Sequence, residues 1–328
     1  YSYITEASKK ASDKASFYTA LNNTDIRREF DFARLSVDWA NYSNDNLEIV
    51  LTPYIRFNEN KYVATWEKNL PSNDTKIYTF GFLQRNTLDT NYGEVIFGFD
   101  TEYTDSSLVY NQDFTTTASG KTYPKGPIYD YDVVYTAIAP YINNKWEITD
   151  KLDFDLGVRF DYNKFDYKNN LSSGVDASGV YYRPNDKEDS FTHFSPKASL
   201  TYKLDETTTL YTRYANGFTI PSATKLYSMK AGYSEVELDP EISNTYEVGY
   251  KKEFEKAYVE SNVYFMNIED TITSKKDSDG NTYYLNGGKS DHKGIELTLF
   301  SNLTEDISSK IAYSYSKHNF VDDVNYKD

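Results

Sequence analysis

Three features of the sequence predict an all-β fold built from antiparallel strands. Apolar and polar residues alternate in segment after segment, no amphipathic helix of ordinary length intervenes, and the links between segments are short and long in turn. A period of two places successive side chains on opposite faces of a strand, whereas a helix repeats every 3.6 residues. The sequence therefore predicts a run of consecutive strands that each have one apolar face.

The clearest alternation runs from Asp153 to Lys164. Phenylalanine, leucine, valine and tyrosine occupy one parity there, and aspartate, glycine and arginine occupy the other. The same alternation recurs near residues 33–39, 47–57, 78–82, 95–99, 134–138, 198–204 and 295–299. Counted in this way, the chain contains about twelve strands of about ten residues each, a length that suits a tilted membrane crossing.

The links between these strands alternate in length. The short ones lie near 43–46, 86–92, 143–151, 204–207, 253–256 and 302–306, and the long ones near 58–76, 104–131, 166–190, 217–244 and 273–291. Long irregular loops are uncommon in compact soluble domains. Outer-membrane barrels, in contrast, have short turns on the periplasmic side and long loops outside. The alternation therefore favours an antiparallel transmembrane β-barrel.

The composition supports a membrane barrel and excludes several other classes. The 328 residues include 33 Tyr, 19 Phe and 3 Trp but no Cys, and the formal net charge is −15. Tyrosine suits a membrane interface because its ring is apolar and its hydroxyl is polar. The lack of cysteine excludes a disulfide scaffold, a structural zinc module and a Cys nucleophile. The acidic balance disfavours nucleic acid as a partner.

Hydropathy alone would misclassify such a chain. No stretch approaches the roughly 20 apolar residues of a membrane helix. In a transmembrane barrel, however, lipid-facing and lumen-facing residues alternate, so that window averages look polar. The sequence opens YSYITEASKK, without the basic start and apolar run of a signal peptide. We therefore expect that a leader was removed or that this is an interior piece of a larger barrel.

Four segments of the second half resemble the C-terminal half of the barrel in TonB-dependent outer-membrane receptors. They are FSPKASLTY (194–202), LYTRYANGFTIPSATKLY (210–227), ELDPEISNTYEVGYK (237–251) and YYLNGGKSDHKGIELTLFSNL (283–303). The matching residues are Tyr214, Gly217, Phe218, Pro221; Leu238, Pro240, Glu241, Ser243, Tyr246, Glu247, Gly249; and Asn286, Lys293, Gly294, Glu296. Over about the first half the resemblance is only architectural, and Thr219 stands where the family usually has an arginine.

The resemblance implies that residues 1–328 are part of a single receptor barrel domain. Such barrels have about 22 strands. The twelve or so strands counted here would be part of one, without the N-terminal plug and the C-terminal strands. The implied function is capture of a ferric siderophore in the outer membrane of a Gram-negative bacterium. Import to the periplasm would use energy from the TonB–ExbB–ExbD complex, acting through the plug. The partners would be the chelate, that complex and outer-membrane lipid.

Alternative functions stay open from the sequence. The same kind of receptor could carry cobalamin, haem or a glycan, and a passive porin or adhesin barrel is a different class. The sequence has no Gly-rich phosphate loop, no G-x-S-x-G elbow and no H-E-x-x-H string, so an enzyme is not expected. No cofactor and no metal site are predicted.

The family-motif residues have structural interpretations. Glu247 and Glu296 share the parity opposite to the apolar residues of their strands, so they should point into the lumen and bond the plug or neighbouring strands. Gly249 and Gly294 should relieve crowding in a curved wall. Pro221 and Pro240 should lie in a long loop, where a missing amide donor is harmless.

Ligand binding is assigned to inward arginines and tyrosines. The candidates are Arg34, Arg56, Arg159, Arg213, Tyr54 and Tyr211. Guanidinium groups would hold an anionic ferric chelate, and the rings would stack on a catechol-type ligand. The arginines are expected toward the extracellular half of the barrel. The alternative is ordinary lumen charge, paired with neighbours such as Asp38, Asp155 and Asp161.

Two further patterns are interpreted as structural. The histidines are His193, His292 and His318. The resemblance implies that a haem-uptake receptor would carry a histidine in the loop between the second and third segments. Because residues 222–236 contain none, haem binding by an imidazole from that loop is disfavoured, and solvated loop or lumen histidines are expected. The string KDSDGN (276–281) imitates the start of a calcium loop. Its twelfth position would be Gly288 rather than glutamate, so a hairpin tip is expected.

Overall fold

The computed structural model describes residues 26–118, 120–232, 237–276 and 282–323. In chain order the strands are β1 (Arg28–Ser36), β2 (Trp39–Asn44), β3 (Leu47–Val63), β4 (Ser72–Thr90), β5 (Gly93–Gln112), β6 (Thr116–Ala118), β7 (Lys121–Tyr123), β8 (Gly126–Thr149), β9 (Leu152–Asn169), β10 (Gly174–Val175), β11 (Tyr181–Arg183), β12 (Lys187–Asp205), β13 (Thr208–Thr219), β14 (Met229–Lys230), β15 (Glu241–Phe254), β16 (Ala257–Glu269), β17 (Ile272–Lys276), β18 (Thr282–Asn286), β19 (Gly288–Asn302) and β20 (Ser308–Asp323). One short helix, α1, spans Ala223–Tyr227 among these residues.

Twelve strands form one continuous antiparallel path in the described part of the chain. Their order is β1-β3-β4-β5-β8-β9-β12-β13-β15-β16-β19-β20, and β2 pairs with β3 beside the path. Each strand therefore pairs with its neighbour in sequence, as in an up-and-down barrel. The sheet is open at β1 and β20, which confirms the prediction of a partial barrel of about twelve strands. No described helix is long and apolar enough to cross a membrane.

The register gives the sheet an apolar outward face. On β3, the outward residues from Leu47 to Phe57 are apolar, and the next two on that face are Glu59 and Lys61. These apolar side chains are half-buried or exposed, and Ile55 is 53% exposed. Similar exposed residues on neighbouring strands include Phe80, Ile138, Leu156, Val248 and Ile295. The resulting band is about ten residues tall along each strand, which matches the apolar band of outer-membrane barrels.

Beyond this band the polarity of the two faces is reversed. On β9, Lys164, Asp166 and Lys168 now point outward, whereas Phe165 and Tyr167 point inward and are buried. The buried core of the molecule lies here, at the end of the strands that carries the long loops. Its members are Ala64, Leu108, Tyr110, Ile128, Tyr129, Tyr131, Val133, Phe165, Tyr167, Val180, Tyr181, Leu226, Tyr227 and Leu238.

This reversal corrects two of the sequence expectations. Most strands of the path are longer than the expected ten residues; β8, the longest of them, has 24. The long links are correspondingly shorter: the link expected at 58–76 shrinks to 64–71, and β13 and β15 extend into the expected loop 217–244. The polar outward residues above the band made these strand ends look like loops, although their backbones continue the ladder.

The loops carry small ordered elements of their own. β6 pairs with β7, β10 with β11, β11 with β14, and β17 with β18. Pro221 is buried just before α1, and Leu238 joins the core. Of the expected hairpin tip at 276–281, residues 277–281 lie outside the described part of the chain.

Glycines on the inward face make room for tyrosine rings of the next strand. Gly249 is paired with Tyr211, and a Cβ at Gly249 would lie 2.1 Å from Cζ of that ring. Gly81 has the same relation to Tyr54. At Gly294 a Cβ would lie 2.8 Å from Tyr264 Cζ. The rings lie flat across the neighbouring backbone, so that only glycine fits beneath them.

We expect Gly249→Ala to lower the free energy of unfolding by about 1–3 kcal/mol, the usual cost of overpacking. The new methyl group would displace the Tyr211 ring and strain its 2.6 Å hydrogen bond to Glu247. The measurement is urea unfolding of the intact protein in lipid vesicles, followed by tryptophan fluorescence. Gly217→Ala is the control, because a Cβ there meets only Ser243 Oγ, at 3.2 Å. Equal losses in the two variants would contradict the steric argument.

Candidate functional site

The described ends of the long loops enclose a chamber of about 620 Å3. It lies above the outward apolar band, on the inward side of the sheet. Side chains reach it from the β3–β4 loop, β5, β7, β8, β11, α1, β14, β17 and β18. Its lining includes Glu67, Asn69, Tyr110, Tyr123, Tyr129, Tyr181, Lys225, Lys230, Lys276 and Tyr284. A site assembled from so many loops is typical of ligand capture.

Glu67 is the polar centre of the chamber wall. Its carboxylate accepts a hydrogen bond from Tyr110 Oη at 2.9 Å and another from Tyr181 Oη at 2.7 Å. Lys230 Nζ lies 3.9 Å from the same carboxylate. Asn69 adds a bond from Nδ2 to Tyr181 Oη at 2.9 Å. One carboxylate of the β3–β4 loop thus ties together a main strand and two loop elements.

The tyrosine rings pack against one another and against Lys230. The ring centroids of Tyr129 and Tyr181 are 5.6 Å apart with planes at 83°, and those of Tyr110 and Tyr129 are 6.1 Å apart. Lys230 Nζ lies 3.8 Å from the centroid of the Tyr181 ring, in cation–π contact. Tyr123 approaches Tyr181 edge-on at 6.3 Å. This wall is therefore a rigid aromatic surface with a cation on it.

Burial changes the ionisation of these groups, which lie beyond the apolar band. Burial raises the pKa of Tyr129 and of Tyr181 well above 10, and the nearby Glu67 carboxylate acts in the same direction. Burial lowers the pKa of Lys230, while Glu67 opposes the change. The phenols therefore stay neutral at physiological pH and donate hydrogen bonds rather than acting as tyrosinate ligands.

The chamber is basic although the chain is acidic. Its described lining contains five lysines and a single glutamate, whereas the whole chain has a formal charge of −15. Lys225 Nζ lies 5.7 Å from the centroid of the Tyr284 ring, which holds its charge at the wall. A bare cation would be repelled here, and an anion would be attracted. Rings and ammonium groups together suit an anionic ligand with aromatic parts.

The arginines and tyrosines singled out in the sequence lie lower on the sheet, and all but Arg34 are near the midpoints of their strands. Arg34 stacks on the Tyr54 ring, with Cζ 4.8 Å from the centroid. Arg56 Nη2 lies 3.5 Å from Glu102 Oε1, and Tyr54 Oη donates to Glu102 at 2.6 Å. Three of the six candidates are therefore gathered around one carboxylate. They do not line the chamber.

The other three candidates lie farther along the sheet. Arg159 bonds Asp161 at 2.9 Å and also bonds Asp100. Tyr211 donates to Glu247 at 2.6 Å, and Arg213 is paired in register with Glu247. The alternative interpretation, ordinary lumen charge paired with nearby carboxylates, thus describes Arg56 and Arg159. Arg56 pairs with Glu102 two strands away, and Arg159 pairs with Asp161 of its own strand and with Asp100 two strands away. Direct contact of these residues with a ligand stays a prediction.

The family-motif residues brace one loop against the next. Asn286 accepts a hydrogen bond from the Asp239 amide at 2.7 Å and donates to the Asp239 carbonyl at 2.9 Å. It also donates to the carbonyl of Asp270 at 2.6 Å. Glu241 accepts from the Ile272 amide at 2.7 Å. The two motifs therefore lock the β13–β15 connection to the β16–β19 connection, which positions Lys276 and Tyr284 of the chamber.

Other motif residues stabilise the sheet itself. Tyr214 Oη donates to Asn244 at 2.9 Å, and Tyr246 is exposed on the outward face. Ser243 Oγ donates to the Gly217 carbonyl at 3.4 Å. Glu296 accepts from Asn262 at 3.1 Å on the inward face. Phe218 stacks on His193, whereas Lys293 lies in register with Phe265.

Sequence reasoning missed the chamber residues. Glu67 and Tyr181 are 114 residues apart in the sequence, and no local pattern joins them. A weak signal was present in the sequence. The inward-facing positions of these strands are polar within the apolar band, but above the band they are occupied by tyrosines such as Tyr129, Tyr131 and Tyr167. A tyrosine-rich inward face at the ends of several strands would have indicated a chamber there.

Comparison with known proteins assigns the family. The family described as TonB dependent receptor-like, beta-barrel matches residues 2–328. The chain belongs to the TonB-dependent receptors, and it represents part of their barrel. The resemblance stated from the motifs is thereby confirmed, and it extends over the first half as well. This is a family of transport receptors rather than enzymes.

Several characterised receptors share the sequence or the fold. The probable TonB-dependent siderophore receptor PiuA of Acinetobacter baumannii is 27% identical over 195 residues, which cover 57% of this chain and 24% of PiuA. The PiuA crystal structure matches with a TM-score of 0.69 at 16% identity, over 91% of this chain and 48% of that one.

Two other solved structures have the same fold. The ferric-catecholate import receptor Fiu of E. coli K12 has a TM-score of 0.65 at 17% identity, over 91% of this chain and 48% of Fiu. The copper transporter OprC has 0.68 at 15% identity, over 88% of this chain and 47% of OprC. The chain thus spans less than half the length of these relatives, and at such identities the likeness concerns the fold alone.

We expect the buried tyrosines around the chamber to ionise late and to loosen the loop end when they do. Burial raises the pKa of Tyr131 from 10.0 to about 12. Its stabilising contribution is therefore complete below pH 10 and is lost as the pH rises toward and past 12. Titration of the tyrosinate absorbance should reveal a late-ionising class of phenols, and Tyr131→Phe should remove one member. If Tyr131→Phe kept the same number of late-ionising phenols as the wild type, the burial of Tyr131 would be contradicted.

Proposed function

We propose that this protein captures an anionic iron chelate, a ferric siderophore, in the loop-end chamber and imports it. The observation that carries the proposal is the basic, tyrosine-lined chamber at the converging loops of an otherwise acidic chain. Ammonium groups attract the negative charge of the chelate, and the phenol rings offer flat apolar faces to its aromatic groups. Tyr110 and Tyr181 already donate to Glu67, so the hydroxyl groups of Tyr123 and Tyr284 would donate hydrogen bonds to its oxygens.

Transport follows the scheme of the family. The receptor would lie in the outer membrane of a Gram-negative bacterium, with the outward apolar band in contact with lipid. A plug domain, outside the 328 residues, would close the barrel. The TonB–ExbB–ExbD complex would act on that plug and release the captured chelate toward the periplasm. The inward arginines, led by Arg34 and Arg56, would form a second station for the anionic chelate below the chamber.

Two of the three relatives support an iron chelate as the cargo. PiuA is a siderophore receptor and Fiu a ferric-catecholate import receptor, whereas OprC is a copper transporter. The fold is therefore compatible with more than one cargo, so the choice of cargo is argued from the residues that line the chamber. Five lysines disfavour a bare metal cation and favour a negatively charged chelate. Cobalamin, haem and glycans remain cargoes to be compared in the same assay.

Charge reversal at Lys225 and Lys276 is expected to weaken binding of a ferric tris-catecholate at least about tenfold, or about 1.4 kcal/mol. Both ammonium groups line the chamber, so carboxylates there would repel the anionic complex. Binding is measured by fluorescence quenching of the intact receptor, and uptake by radioactive iron in cells under iron limitation.

Lys145→Glu is the matched control. This lysine lies on β8 near the short-turn end, outside the chamber lining, and its reversal changes the total charge by the same amount per site. Equal weakening in the control and in the Lys225→Glu/Lys276→Glu variant would contradict capture in the chamber. So would unchanged binding in both.

A further inference from the structure

Two histidines face each other on the inward side of β19 and β20, away from the chamber. His292 and His318 are register partners, and their ring centroids are 4.7 Å apart at 65°. His292 lies on the same face of β19 as Glu296, which bonds Asn262 on the inward side. Ile295, on the opposite face, is exposed on the outward side. The Nδ1 atoms of the two rings are in direct contact.

A serine holds the other nitrogen of each ring. His292 Nε2 lies 2.9 Å from Ser290 Oγ, and His318 Nε2 lies 3.1 Å from Ser316 Oγ. A neutral imidazole has one donor nitrogen and one acceptor nitrogen. Without a bound ion, one Nδ1 carries a proton and donates it to the other Nδ1. A metal ion would take the place of that proton once the rings move apart, with Nε2–H of each ring then given to its serine. Metal-binding histidines are oriented in this way by a hydrogen bond from the second nitrogen.

A thioether completes the group. Met266 on β16 is the register partner of His292, on the same inward face. Directly opposed residues of an antiparallel pair have Cβ atoms about 5 Å apart, so the flexible Met266 side chain lies within reach of the His292 ring. The row Met266–His292–His318 uses one of two methionines and two of three histidines in the chain. Histidine and methionine are rare in this chain, so their position side by side on three adjacent strands points to a metal site.

We propose that Met266, His292 and His318 bind a soft transition-metal ion, with Cu(I) the best match. Thioether sulfur selects Cu(I), and imidazole suits copper as well. Structural zinc sites, in contrast, are almost always tetrahedral with four protein ligands. Among the described residues, no group of three or more histidines, aspartates and glutamates gathers in metal-binding geometry. The third ligand would be the Met266 thioether, which lies opposite His292 on the adjacent strand. None of the three residues lines the chamber, so the site is separate from chelate capture.

The test uses Ag(I), a redox-stable analogue of Cu(I), titrated calorimetrically into the intact receptor in chloride-free detergent buffer. The wild type should bind one equivalent more than His292→Gln or His318→Gln. Met266→Leu and Ser290→Ala should each weaken that equivalent about tenfold, since the serine only orients the ring. Cu(I) bound to the wild type should show two nitrogens and one sulfur in X-ray absorption.

His193→Gln is the matched control, because the third histidine bonds Asn216 at 2.6 Å on a different strand. It should bind Ag(I) like the wild type. Equal stoichiometry in wild type and both β19–β20 histidine variants would overturn the proposal, as would a loss in His193→Gln of the same size. Tighter binding of Zn(II) than of Ag(I) would overturn the assignment to a soft ion. Folding of each variant is checked by the heat-dependent electrophoretic mobility of intact barrels.

Discussion

The backbone ladder between consecutive strands is the constraint on which the rest of the structure depends. Within hydrocarbon, backbone amides and carbonyls have no water to bond, so each strand must satisfy them on its neighbours. The pairings from β1 to β20 do so in an unbroken antiparallel series. Once the register is set, the parity of every side chain is set too, because a slip by one residue would exchange the two faces.

Parity explains features that look unrelated along the sequence. It places Gly249 under the ring of Tyr211 and Gly294 beside Tyr264. It also places Met266, His292 and His318 in one row across three strands. The same ladder continues above the apolar band, where the inward face becomes aromatic and the outward face polar. The chamber is thus built on strand ends, which hold the loop residues more rigidly than loops alone could.

Local patterns in the sequence predicted the part of the fold that local rules control. The alternation from Asp153 to Lys164 lies inside β9, and the short links coincide with the turns between paired strands. The upper part of β9 was missed because Asp166 and Lys168 on its outward face are typical of loops. Its inward Phe165 and Tyr167 are buried in the core, and the residues that bury them come from distant parts of the sequence.

The candidate site shows the same division. The sequence identified inward arginines, and the structure places Arg56 in contact with Glu102 and Arg159 in contact with Asp100 and Asp161. It could not identify the chamber, because Glu67, Tyr110 and Tyr181 meet only through convergence of distant loops. The motif residues Asn286 and Glu241 were found easily, and they act as braces between loops.

The position of bound iron tests the central claim most directly. Crystals of the intact receptor soaked with a ferric tris-catecholate would give an anomalous peak at the iron. The account predicts that peak inside the chamber, beside Lys225, Tyr123 and Lys276. A peak found only among Arg34, Arg56 and Arg159, or on the outer surface, would contradict it.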